Sequence, residues 1–96
     1  MKHVYLIAYD ISDDLGDYSG LKDTIRTISD DYQHPLESIW FIKTEEPIDV
    51  KEICGKLKDY FQSTADKLYM AELSPEMNHS GWMPKPKLMW KWLKKL

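Results

Sequence analysis

The sequence predicts an α+β fold with a central β-sheet, and three observations lead to this class. Residues 3–12, HVYLIAYDIS, form the longest run of β-favouring, mostly apolar residues in the chain. Two later segments repeat apolar residues at spacings of three and four, which is typical of amphipathic helices. The chain has 96 residues, 43% of them hydrophobic and 30% charged, which fits one folded domain spanning residues 1–96.

The first strand is predicted over residues 2–11. Successive side chains of a strand point to opposite faces of the sheet, and here both sets of side chains are mostly apolar. We therefore expect a central strand with a packed layer on each side. Asp10 closes the apolar run, so it is either an ordinary strand end or the beginning of an active site.

The first helix is predicted from Tyr18 to Ser29, after a loop rich in turn-forming residues. Asp17 is its expected N-cap, because a carboxylate there accepts hydrogen bonds from the free backbone N–H groups of the first turn. The apolar positions that share one face of this helix are Tyr18, Leu21, Ile25 and Ile28.

Residues 31–44 are predicted to form two short strands or one bent strand. Pro35 has no N–H group to donate to a ladder, so it belongs on an edge strand or at a bulge. Ser38–Thr44 is the stronger strand because it is apolar on both sides. Its two faces carry Ile39 with Phe41 and Trp40 with Ile42.

The C-terminal half is predicted to hold a second helix, a last strand and an arm. The helix spans Val50–Gln62 on a broad apolar stripe, with Asp49 as its N-cap. The strand spans Lys67–Leu73. Residues 74–96 are predicted to form an arm and a C-terminal helix that opens at a proline.

The predicted order, βαββαβ followed by a helix, is the split βαβ or ferredoxin-like arrangement. Its sheet order puts the first and third strands in the middle, which agrees with their two apolar faces. Two helices cover only one face of such a sheet, so the other face needs a second subunit, the terminal helix, or both. We expect a homodimer, because an isologous pair is the commonest solution.

Charge is distributed unevenly along the chain. The net charge of −3 does not indicate a general electrostatic nucleic-acid binder. However, residues 85–96 contain five lysines and no acid, whereas residues 10–17 contain four acids and no base. The field near the C-terminus is therefore expected to be positive.

Several protein classes are not indicated by the sequence. Cys54 is the single cysteine, so no intramolecular disulfide is expected, which fits a cytoplasmic protein. We expect no signal peptide and no membrane-spanning segment. Neither a glycine-rich nucleotide motif nor a HExxH or CxxC motif is present, so we expect no nucleotide or organic cofactor.

The acidic loop is the first candidate for chemistry, because clustered carboxylates suit magnesium or calcium. Its later acids have a simpler explanation as a solvated turn and a helix cap. Asp10 differs, because its neighbours on the same strand face are apolar. A two-fold axis nearby would bring two copies of Asp10 together to share one divalent ion. The later acids are Asp13, Asp14 and Asp17.

The C-terminal arm is the second candidate, because it mixes tryptophans with lysines. Indole rings can stack on bases and ammonium groups can bind phosphates. The alternative is that Trp82 and Trp92 pack the arm onto the domain while the lysines face water. The residues predicted to bind nucleic acid are Trp82, Lys85, Lys87 and Lys91.

The histidines and the cysteine are weaker candidates. His3, His34 and His79 are widely separated, and none has a second ligand at metal-binding spacing. His79 is either an acid–base group or a polar surface residue. Cys54 lies on the apolar stripe of the second predicted helix and is expected in the core.

Several segments, taken together, resemble a known family. The strand VYLIAYDIS resembles the first strand of the small CRISPR-associated adaptation proteins of the Cas-two type. The chain is more similar still to the SinR-like relatives of that group, and virulence-associated protein D toxins belong to the same broader group. The motifs that carry the resemblance are Tyr9-Asp10, Asp17-Tyr18-Ser19-Gly20-Leu21, Gln33 with Ser38-Ile39-Trp40-Phe41, and Gly81-Trp82-Met83-Pro84.

The resemblance implies a ferredoxin-like homodimer with magnesium-dependent endonuclease activity on RNA or DNA. It also implies that Asp10 is the metal ligand and the catalytic residue. Two departures stand out: the turn after Asp10 is acidic where the adaptation proteins carry arginines, and the GWMP arm differs from their exchanged strand. The competing hypothesis is a non-catalytic dimeric scaffold that binds a protein or a nucleic acid.

Overall fold

The computed structural model of the chain describes residues 3–11, 18–61 and 65–73. These ranges contain four strands and two α-helices, and the predicted α+β class is confirmed. The C-terminal arm and helix predicted for residues 74–96 lie outside the described residues. The elements are β1 (His3–Asp10), α1 (Ser19–Ile28), β2 (Asp31–Leu36), β3 (Ile39–Thr44), α2 (Val50–Leu57), a 3₁₀ turn (Lys58–Tyr60) and β4 (Lys67–Leu73).

The four strands form one sheet in the order β2-β3-β1-β4, with every neighbouring pair antiparallel. On one side β1 pairs with β3, from His3 opposite Thr44 to Ala8 opposite Ile39. On the other side β1 pairs with β4, and this ladder extends to Asp10. The first and third strands therefore occupy the middle of the sheet, as their apolar patterns predict.

Residues 31–44 form two strands joined by a two-residue turn at Glu37 and Ser38. Among the described strands, β2 lies at the edge of the sheet. The pairing of β2 with β3 shifts between Gln33 and Leu36, and Pro35 falls within this irregularity. The predicted edge position of Pro35 is confirmed, because a residue without an N–H group interrupts the ladder least there.

The hydrophobic core lies between the sheet and the two helices. We call this side of the sheet the helix-covered face. Its centre consists of side chains with 0% exposure from the two middle strands and from both helices, so it holds the largest share of the burial energy. These side chains are Tyr5, Ile7, Trp40, Ile42, Leu21, Ile25 and Leu57.

The start of α2 matches the prediction, but its end does not. The Asp49 carboxylate accepts hydrogen bonds from the backbone N–H groups of Lys51 at 2.9 Å and Glu52 at 3.4 Å, so the N-cap is confirmed. The α-helix ends at Leu57 and tightens into the 3₁₀ turn instead of continuing to residue 62. The residues at the end of the 3₁₀ turn contact α1 instead of continuing the apolar face of α2.

Two contacts with α1 account for this early end. The Tyr60 hydroxyl accepts a hydrogen bond from the Thr24 hydroxyl at 2.8 Å. The Phe61 ring, which follows in extended backbone, lies 6.4 Å from the Tyr18 ring. Tyr18 itself occupies the N-cap position of α1, one residue later than predicted, and makes no side-chain capping bond there.

The opposite side of the sheet is apolar at its centre, and neither described helix packs against it. We call it the open face. Its middle is partly buried, whereas Tyr69 is 64% exposed and Asp10 is exposed at one end. The strand registers place on this face Val4, Leu6, Ala8 and Asp10 of β1, Ile39, Phe41 and Lys43 of β3, and Lys67, Tyr69, Ala71 and Leu73 of β4.

Candidate active site at the end of the first strand

Asp10 is the last residue of β1, and its side chain is exposed. It lies directly across from Lys67 of the neighbouring strand β4. It also lines a cleft of about 440 Å³ between the end of β1 and the turn that joins β2 to β3. The residues lining this cleft are Tyr9, Asp10, Ile11, Glu37 and Ser38.

Backbone and side-chain hydrogen bonds hold the two walls of the cleft together. The Tyr9 N–H donates to the Ser38 carbonyl at 3.0 Å, just beyond the last β1–β3 pair. The Tyr9 hydroxyl donates to the Glu37 carbonyl at 3.3 Å and accepts from the buried Trp40 Nε1 at 3.0 Å. The turn is thus tied to β1 immediately before Asp10.

His34 contacts the same turn from the helix-covered face of the sheet. Its Nε2 lies 2.9 Å from the Glu37 carbonyl oxygen. Because a carbonyl oxygen can only accept, Nε2 carries the proton in this contact. The imidazole also stacks on the Trp40 ring, with centroids 3.8 Å apart and planes inclined by 15°. His34 therefore has a structural role here rather than that of a metal ligand.

The charges near Asp10 are of both signs. Lys67 and Glu37 are exposed like Asp10. The ion pairs Arg26–Asp23 and Lys56–Glu52 lie elsewhere in the described residues and involve none of these three side chains. The Asp10 carboxylate and the Lys67 ammonium group are both exposed, and their positions face each other across the β1–β4 ladder.

The described residues supply the cleft with two carboxylates, those of Asp10 and Glu37. Within the ranges that the structure describes, no group of three or more His, Cys, Asp or Glu side chains could hold a metal ion. Magnesium binds with one or two protein carboxylates when waters and substrate phosphates complete its shell. Two carboxylates meet that minimum, and the remaining ligands would have to be oxygens of water and substrate.

Glu37 is the lining residue that the sequence analysis did not single out. It lies 27 positions after Asp10, and no motif spacing connects the two. A signal was nevertheless present in the predicted sheet order. Because β3 runs antiparallel to β1, the turn that precedes β3 must lie beside the end of β1.

The other predicted candidates are placed as follows. His3 lies at the opposite end of β1 from Asp10, with its Nδ1 atom 4.0 Å from the Glu72 carboxylate. Cys54 is partly buried against the core, and burial raises the pKa of its thiol, which makes it a poor nucleophile. The candidates outside the described residues are Asp13, Asp14, Asp17, His79, Trp82, Lys85, Lys87 and Lys91.

Comparisons of the chain with protein-family models, with curated proteins and with solved structures found no match. The resemblance to the Cas-two type and SinR-like proteins therefore stays a prediction. Of the two described α-helices, α1 has ten residues and α2 has eight, and neither is long and apolar enough to cross a membrane.

Proposed function

We propose that the chain is a ferredoxin-like homodimer of the Cas-two type that cleaves phosphodiester bonds of RNA or DNA with magnesium at Asp10. One observation carries this proposal: an exposed carboxylate ends the central strand of the sheet and opens onto a cleft. The element order and the β2-β3-β1-β4 sheet support the ferredoxin-like part. The lone cysteine supports a cytoplasmic location.

The dimer is proposed to form through the open face. Its centre consists of apolar side chains of the two middle strands, and a second copy of the chain would remove them from water. Asp10 lies on this same face, at the end of the row that contains Leu6 and Ala8. A two-fold axis near the end of β1 would then bring both Asp10 carboxylates to one site.

In this proposal Asp10 binds the metal ion, and Glu37 lies at the opposite wall of the same cleft to provide a second carboxylate. Magnesium, when bound, would neutralise charge on the phosphodiester and activate a water molecule. The hydrogen bonds from Trp40 to Tyr9 and from Tyr9 to the Glu37 carbonyl would hold the backbone of the turn beside the end of β1. The C-terminal residues proposed to contact nucleic acid are Trp82, Lys85, Lys87 and Lys91.

A second candidate function is a non-catalytic dimeric scaffold that binds a protein or a nucleic acid. Two observations favour it. The described residues bring only two carboxylates to the cleft, and the open face provides an apolar surface that needs no catalytic group to bind a partner. A fold by itself does not establish chemistry.

The test is cleavage of end-labelled RNA and DNA by the full chain, with magnesium and with a chelator. The variants are Asp10→Asn and, as a matched control, Asp59→Asn on the exposed 3₁₀ turn. We expect magnesium-dependent cleavage that falls by at least about 100-fold in Asp10→Asn, because even groups that only orient a metal ligand contribute 10–100-fold. Asp59→Asn should match the wild type.

Two results would contradict the proposal, one for Asp10 and one for the nuclease as a whole. Cleavage that survives Asp10→Asn would remove Asp10 from the reaction, whatever its metal dependence. A complete lack of cleavage by the wild-type chain on single-stranded and duplex substrates, under all metal conditions, would favour the scaffold.

A further inference from the structure

We propose that the C-terminal segment, residues 74–96 of the same chain, lies across one end of the open face and covers it. This end is a row of four side chains, one from each strand, that we call the exit row because β4 leaves the sheet there. The inference does not depend on the nuclease chemistry. The exit row consists of Asp31 of β2, Lys43 of β3, Val4 of β1 and Leu73 of β4.

Burial on the open face decreases from the exit row towards the end that holds Asp10. Along the central strand β1, Val4 is 2% exposed, Leu6 and Ala8 are partly buried, and Asp10 is exposed. These side chains share one strand and one face, so their neighbours in the sheet do not account for the difference. Additional atoms of the chain therefore cover the exit row and leave the other end open.

Lys43 gives the strongest evidence for a cover. A lysine side chain is long, its ammonium group is strongly hydrated, and it is almost never fully buried. Lys43 is nevertheless 3% exposed, less than the shorter, apolar Ile39 on the same strand face. Asp31 lies directly opposite it on β2 and brings a compensating charge to this row. One neighbouring position does not remove the whole side chain from water, and neither described helix lies on this face.

Chain connectivity identifies the covering segment. Residues 12–17 connect the Asp10 end of β1 to the start of α1, and residues 62–64 connect the 3₁₀ turn to the end of β4 opposite Asp10. Residues 1 and 2 precede β1 at the exit row, but two residues are too few to cover four strands. The remaining segment, residues 74–96, begins directly after Leu73, which lies in the exit row opposite Val4.

The length and the pattern of the C-terminal segment fit this position. Residues 86–96 would be about 16 Å long as a helix. The four strands extend about 14 Å from first to last, at a spacing of about 4.8 Å. Apolar residues recur at helical spacing on one side of this helix and lysines lie on the other, so the apolar side would contact the sheet. The apolar residues are Leu88, Met89, Trp92, Leu93 and Leu96.

This placement is compatible with a second copy on the same sheet. Val4 and Asp10 lie about 20 Å apart along β1, at about 3.3 Å per residue, whereas a helix is only about 10 Å wide. A helix on the exit row therefore leaves the Asp10 end uncovered. The second copy would meet that end and would border the C-terminal segment near Phe41.

The first test is acetylation of the full chain by an N-hydroxysuccinimide ester, with each lysine quantified by mass spectrometry. Lys43 should react at least about tenfold more slowly than Lys58 on the exposed 3₁₀ turn, because a covered amine reacts only after a local opening. The protection should not change with protein concentration, since the cover belongs to the same chain.

Two variants identify the covering segment in the same experiment. Trp92→Glu places a charge on the apolar side of the predicted helix, so acetylation of Lys43 should accelerate by about tenfold as its cover opens. Lys94→Glu adds the same charge on the lysine side and should leave Lys43 protected. Far-UV circular dichroism shows whether each variant is folded.

A second test uses the wild-type sequence and needs no folded variant. Photo-methionine replaces part of the methionine, which places photoreactive groups at Met77, Met83 and Met89 of the segment. Irradiation should cross-link the segment to peptides of β1 and β3 within the monomer band, and not to α1 or α2.

Three results would overturn the inference. The first is acetylation of Lys43 as fast as that of Lys58. The second is protection of Lys43 that is lost on dilution, which would assign the cover to a second copy. The third is cross-linking of the segment to the helices alone, or unchanged protection of Lys43 in a folded Trp92→Glu variant. If Trp92→Glu does not fold, the cross-links decide.

Discussion

The two faces of the sheet are built from similar residues but are covered differently. Trp40 and Phe41 are consecutive aromatic residues of β3. Trp40 points to the helix-covered face, has 0% exposure and donates a hydrogen bond to Tyr9. Phe41 points to the open face and is only partly buried. An apolar strand pattern therefore shows that both faces avoid water, but the two helices that the structure describes pack against only one of them.

The largest expected effect is a difference in stability between variants of these two aromatic residues. Trp40→Ala should lower the free energy of unfolding by about 3–5 kcal/mol, because it opens a cavity in a fully buried site. Phe41→Ala should cost the monomer about 1 kcal/mol, since its ring is already partly in water and leaves no closed cavity. Urea unfolding at low protein concentration measures both values. Equal losses would mean that the two faces are equally packed in the single chain.

A smaller effect tests the hydrogen bonds beneath the cleft. Tyr9→Phe removes the oxygen that accepts from Trp40 Nε1 and donates to the Glu37 carbonyl. The indole N–H is then buried without a partner, which should cost about 1–3 kcal/mol. Tyr69→Phe makes the same chemical change on the open face, where the ring is 64% exposed, and should leave stability unchanged. Equal stability of Tyr9→Phe and the wild type would show that these bonds do not stabilise the covered face.

The smallest effect compares two glycines in the helices of the covered side. A Cβ atom built on Gly55 of α2 meets nothing within 4 Å, so Gly55→Ala should stabilise the protein by up to about 1 kcal/mol through helix propensity. A Cβ atom on Gly20 of α1 would lie 2.7 Å from the Tyr60 ring. Gly20→Ala should therefore gain less or lose stability, because it displaces Tyr60 from Thr24. Thermal unfolding of the two variants gives the comparison, and a Gly20→Ala variant as stable as Gly55→Ala would contradict this packing.

Much of the fold was predictable because local pattern and tertiary structure agree. The alternation of side chains in β1 and β3 follows from strand geometry. The N-cap at Asp49 and the edge position of Pro35 follow from the backbone chemistry of those two residues. The end of α2 was not predictable, because the apolar spacing continues to residue 61. Contacts of Tyr60 and Phe61 with α1 outweigh that spacing, and they depend on how the helices pack.

The candidate site was predictable in part for the same reason. Asp10 stood out because a charged residue closes an apolar strand. Glu37 and Lys67 did not, since only the antiparallel pairing of three strands brings them to the end of β1. Sequence spacing contains no direct record of such neighbours, and their positions beside Asp10 become visible once the strand order and register are known.

We propose that the open face of the sheet binds a second copy of this chain. Sedimentation equilibrium over a range of protein concentrations tests it directly. We expect a mass of twice 11.4 kDa for the wild type, and a shift towards the monomer for Phe41→Glu, which places a charge at the centre of the open face. Thr27→Glu adds the same charge on the exposed side of α1 and should remain dimeric. A wild-type chain that is a monomer at every concentration would contradict the claim.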